Sequence, residues 1–100
     1  MIIYNVTLKI ETSVAADWLQ WMKTEHIPEV LATNCFTKNR ILRLLEQDDS
    51  DGLTFAIQYE CADMATYRRY QKDYAPALQK AHTERYDGRF VAFRTLLEQI

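Results

Sequence analysis

The chain is predicted to fold as an α+β domain, with a four-stranded antiparallel sheet and two kinked helices on one of its faces. Three observations carry this prediction. The hydrophobic period switches between strict alternation and a helical repeat in the order β-α-β-β-α-β, which is the ferredoxin-like pattern. The two middle strands are separated only by the short acidic turn DDSDG, as a hairpin requires. With 2 glycines, 2 prolines and no low-complexity tract, nothing divides the 100 residues, so residues 1–100 read as one domain.

The first strand is the alternating run MIIYNVTLKI, with Ile2, Tyr4, Val6, Leu8 and Ile10 on one side and Asn5, Thr7 and Lys9 on the other. Thr12 or Ser13 is placed to cap a helix whose shared face is Val14, Trp18, Trp21 and Met22. Pro28 disfavours helical geometry at Ile27, which predicts a bend at 26–28 and a short helical turn beyond it. Asn34 is suited to close that turn in a left-handed conformation.

Residues 36–47 are compatible with a second strand, but apolar residues fall on both of its faces and leave its phase open. Gly52 is expected to supply unusual backbone angles in the turn that follows. LTFAIQYEC then alternates as a third strand. Asp63 caps the next helix, with the stripe Tyr67, Tyr70, Tyr74, Leu78 and Ala81, and Pro76 kinks or splits it. Asp87-Gly88 ends it, and RFVAFRTLLEQI is the last strand.

Helices that cover one sheet face leave the other to water or to a partner. If Ile2, Tyr4, Val6 and Leu8 meet the helices, the open face carries Ile3, Asn5, Thr7, Ala56 and Gln58. One alternate set from the last strand joins them: either Phe90, Ala92, Arg94 and Leu96, or Val91, Phe93, Thr95 and Leu97. Such a mixture suits an interface better than solvent. The partner expected is a second copy, packed through the sheet face into a dimeric α/β barrel.

Composition excludes several classes of function. A net charge of −2 with dispersed lysine and arginine disfavours nucleic acid and anionic membranes. No apolar run is long enough to span a bilayer and the opening residues do not resemble a signal peptide, so a cytoplasmic protein is expected. Cys35 and Cys61 form no metal or redox spacing and read as free buried thiols. No metal and no cofactor are expected.

The opening MIIYNVTLKI, the segment WLQWMKTEHIPEVLATNCF, the helix YRRYQKDYAPALQKAHTERY and the ending RFVAFRTLLEQI together resemble the domain-of-unknown-function 4286 family. HIPEVLAT and YAPAL are the most specific parts. The resemblance implies a ferredoxin-like domain of the dimeric α/β-barrel type and brings no catalytic residues. A looser similarity of topology, and of a helix followed by a His-x-Pro turn, extends to small barrel-forming monooxygenases and isomerases, where fold does not dictate function.

His26 is the candidate catalytic residue, since a side chain that titrates near neutrality can act as an acid or base. The simpler reading, and the one the sequence favours, is a cap on the preceding helix or a surface position. His82 is expected at a boundary or on the surface. Asn5, Trp21, Tyr59 and Arg40 are the candidate ligand-binding residues, although aromatic residues at helical spacing are more often core. The leading expectation is therefore a homodimeric ligand-binding or structural accessory protein with a possible small-molecule ligand. The alternative is a cofactor-independent monooxygenase- or isomerase-like enzyme using His26.

Overall fold

The computed structural model describes all 100 residues. Strands β1 (Ile2–Ile10), β2 (Lys38–Arg43), β3 (Leu53–Cys61) and β4 (Phe90–Glu98) form one antiparallel sheet in the order β2-β3-β1-β4. Helices α1 (Ala15–Trp21), α2 (Ile27–Leu31), α3 (Met64–Asp73) and α4 (Ala75–Arg85) complete the predicted ferredoxin-like pattern, with each expected helix divided in two.

Register assigns every strand residue to a face. Tyr4 stands opposite Tyr59 and Leu96, and Leu8 opposite Phe55 and Ala92. These positions face the helices, and Tyr4, Leu8, Ile10, Phe55, Ile57, Tyr59 and Cys61 are all buried there. The last strand's open-face set is thus Val91, Phe93, Thr95 and Leu97, while Phe90, Ala92, Arg94 and Leu96 lie on the helix side. Strand β2 ends at Arg43, earlier than predicted, and presents Asn39, Ile41 and Arg43 to the helix side. Leu44 and Leu45, which had obscured its phase, lie beyond it and are exposed.

Pro76 splits the second helix as expected, but Pro28 acts less simply. The chain does not leave helical geometry ahead of Pro28, because His26 (φ −68°, ψ −52°) and Ile27 (φ −61°, ψ −44°) both remain right-handed. Instead Met22–His26 widens into a π-helical turn in which the Ile27 N–H reaches the Met22 carbonyl. The wider turn accommodates a residue that lacks an N–H and whose ring crowds the carbonyl four residues back. Pro28 then sits in the first turn of α2, as predicted, and Asn34 closes the segment with φ 61°.

Pro76 breaks the second helix at Tyr74, whose φ of −126° and ψ of −40° interrupt the spiral. The buried stripe restarts one position later. It runs Tyr67 and Tyr70, then Ala75, His82 and Tyr86, while Ala81 is exposed and Tyr74 is 37% exposed. His82 is therefore a core residue at 7% exposure, not the boundary or surface histidine expected.

Two smaller expectations also change. Thr12–Val14 forms a 3-10 turn, and Thr12 donates its hydroxyl to the Asp49 carbonyl at 2.7 Å, so neither Thr12 nor Ser13 caps α1. Gly52 has no positive φ; a Cβ there would lie 3.0 Å from the Ile10 carbonyl and 2.7 Å from the Lys9 side chain. Gly52 is thus selected by close approach, and Glu46 (φ 60°) takes the left-handed position in that loop. Asp63 caps α3 as expected, accepting from the Thr66 N–H at 2.8 Å, and Gly88 at φ 72° follows α4.

Candidate functional site

A cavity of about 40 Å³ lies between the helices and the sheet. That is room for roughly three waters at ~10–15 Å³ each. Strand β1 contributes Tyr4 and β3 contributes Tyr59, while the π turn brings His26 and α3 brings Tyr70. His82 of α4 and Arg94 of β4 complete the polar lining, with Leu78 and Gln79 alongside. The remaining lining residues are apolar, so these polar groups converge inside an otherwise apolar wall.

His26 reaches this position because the π turn keeps the helix continuous past it. Its ring stacks on Trp21 at 4.9 Å, and its Nδ1 is buried without a hydrogen-bond partner. Burial lowers its pKa to about 4, so the ring is neutral at pH 7. A helix cap would instead hold the ring charged, so the capping role is not what the structure shows.

His82 is also held neutral, with a pKa lowered to about 4 by burial and, to a lesser extent, by His26 and Arg94. Its Nε2 accepts from the Trp18 indole N–H at 2.9 Å. An indole nitrogen can only donate, so the neutral His82 carries its proton on Nδ1. The two imidazole rings are 5.8 Å apart.

Tyr59 and Tyr70 are held in their protonated form. Burial pushes the Tyr59 and Tyr70 hydroxyls well above the ordinary phenol range, and neighbouring tyrosines add to the effect. Arg94 donates its Nε–H to the Tyr4 hydroxyl at 3.0 Å. At neutral pH the lining therefore offers phenolic O–H groups, two neutral imidazoles and one guanidinium.

The predicted site residues divide between the two faces of the sheet. His26 and Tyr59 line the cavity, and Trp21 flanks it by stacking on His26, with the Arg85 guanidinium 5.3 Å from the Trp21 ring centre. Asn5 and Arg40 lie on the opposite, open face and do not converge with His26. There they belong to a ladder crossing all four strands. Arg40 donates to Gln58 at 2.8 Å, Gln58 to Asn5 at 3.2 Å, and Asn5 to Thr95 at 3.2 Å and Thr7 at 3.1 Å. Arg40 also pairs with Glu60 at 3.2 Å.

Sequence reasoning missed Tyr4, Tyr70, His82 and Arg94 as cavity residues. Arg94 carried a visible signal, being the lone charge within the apolar run FVAFRTLL, but its face depended on pairing with β1. Among His, Cys, Asp and Glu no group of three is placed to hold a metal ion, and no helix is long and apolar enough to cross a membrane.

Solved structures share this fold at low sequence identity. HapK from Hahella chejuensis superposes with a TM-score of 0.72 at 10% identity, covering 100% of this chain and 93% of that one. A dimeric ferredoxin-like protein from an uncultured marine organism gives 0.71 at 8% identity, covering 100% and 95%. A variant of SnoaB, a cofactor-independent oxygenase from Streptomyces nogalater, gives 0.62 at 13% identity, covering 98% and 92%. No curated protein matches the chain. The family model for the domain of unknown function DUF4286 matches residues 1–100, and the chain belongs to that family.

Proposed function

We propose that the protein is a homodimeric small-molecule-binding domain, paired through its open sheet faces, with the ligand held in the helix–sheet cavity. The observation that carries the binding site is the convergence of Tyr4, Tyr59, His26, His82 and Arg94 on one void, with His26 Nδ1 buried and unpartnered. A buried polar atom without a partner costs on the order of 1–3 kcal/mol, so a packed structural core gains nothing from keeping one. The cavity is smaller than the ~300–1,000 Å³ of drug-sized sites, so its occupant is small or displaces Leu78 and Gln79.

The pairing rests on the open face. Val91 is 68% exposed, Phe93 61% and Leu97 45%. These apolar side chains flank the polar ladder through Gln58 and Asn5, whose hydrogen bonds are already satisfied and so tolerate loss of water. Several structural neighbours are described as dimeric ferredoxin-like proteins.

A second reading, a cofactor-independent enzyme, is favoured by one feature: neutral His26 is available to accept a proton from a bound substrate. In that reading Asn5 takes no part, since it lies on the far face.

Native mass spectrometry of gently purified protein tests the proposal. The expected result is a dimer carrying a reproducible small adduct, and Phe93→Lys halves the assembly mass. A bare monomer at micromolar concentration overturns the pairing. A dimer that never acquires an adduct, even when incubated with a library of small apolar compounds, overturns the binding role.

A further inference from the structure

We propose that the cavity selects a small, largely apolar monoanion, typically a carboxylate, with Arg94 and Tyr4 as the residues that choose the charge. The inference rests on the cavity being the ligand site and names the class of ligand it takes. Of the 14 lining residues, Arg94 alone carries a formal charge, both imidazoles being neutral. No carboxylate lies within ion-pair distance of it, although six other ion pairs form elsewhere in the molecule. The groups facing it from β1, α3 and α4 are Tyr4, Val6, Tyr67, Tyr70, Gln79 and His82, none of them acidic.

Arg94 is also oriented for the task. Its Nε–H is committed to the Tyr4 oxygen, which fixes the guanidinium and leaves the terminal Nη hydrogens free for a carboxylate. The Tyr4 hydroxyl accepts that bond, so its own proton remains available to the same ligand oxygen. Access follows from the edge position of β4, where Arg94 and Leu96 remain exposed on the helix side. An anion seated there keeps part of its hydration while the rest of the ligand lies against Val6, Ile57 and Leu78. One guanidinium suits a monoanion; a phosphate dianion would need further cationic partners.

The test is a titration of the whole protein, followed by ¹H–¹⁵N NMR, with benzoate, benzamide and benzylamine, which share a ring and differ in charge. Benzoate is expected to bind at least about tenfold more tightly than the other two, as a charge-assisted hydrogen bond implies. It should shift the amides of Tyr4, His26 and Leu78. Arg94→Met abolishes the preference, Arg94→Lys keeps part of it, and the unchanged spectrum of either variant away from the cavity certifies its fold. Equal binding of benzoate and benzamide, or a preference that survives in Arg94→Met, overturns the proposal while leaving the cavity as a binding site. Failure of all three compounds to bind overturns both.

Discussion

His26 and His82 face each other at 5.8 Å, yet their removal is expected to have opposite consequences. His82 accepts the buried Trp18 indole N–H, so His82→Leu leaves that donor unpaired and should cost about 1–3 kcal/mol. His26 holds no such bond and carries a buried, unpartnered nitrogen. His26→Leu should therefore leave stability unchanged or raise it by up to about 1 kcal/mol while abolishing ligand retention. Urea midpoints of the two variants decide the matter, and a strongly destabilised His26→Leu would show that the ring is structural. That His26 deserved testing was legible from its place beside Pro28. That His82 was its neighbour was not, because His82 entered the core only through the break at Pro76.

At the level of elements, local chemistry was the most legible layer. The alternation in β1 and β3 and the cap at Asp63 all follow from side chains that act on their own backbone. Asp63→Ala removes the acceptor for the Thr66 N–H and should lower stability by about 1 kcal/mol, measured by urea denaturation; Asp63→Ser should restore most of it. The two prolines show where local reasoning stops. Both positions were recognised as irregular, but whether a helix answers a proline by breaking or by widening depends on what its flanks pack against. Met22, Ile27 and Val30 are all buried against the sheet, so the first helix widens and stays attached. At Pro76 the adjoining Tyr74 is partly exposed and the helix breaks there.

The protein as a whole is expected to lose stability on mild acidification. Both histidines have pKa values lowered from 6.5 to about 4 in the folded chain. As the pH falls through 6.5 the unfolded chain takes up protons that the folded chain refuses until about pH 4. Stability from this source is complete above 6.5, declines between 6.5 and 4, and declines no further below that. Two such groups, discounted for partial solvent access, are worth on the order of 2 kcal/mol. Urea midpoints at pH 7.5, 6 and 4.5 measure the decline, which should be shallower in His26→Leu; an equal slope in that variant would contradict a buried neutral His26.

The ferredoxin-like pattern and the division of β1 and β3 into two alternating faces were determined by the sequence alone, because periodicity and capping act over a few residues. The tertiary structure decided which alternate set of β4 faces the helices, and so that Arg94 rather than Arg40 reaches the cavity. It also decided that Asn5 looks away from His26 and that His82 is buried. Those outcomes depend on strand register between β1 and β4 and on the rotation of α4 after its break. Both are set by packing between residues far apart in the chain, where no local pattern records the result.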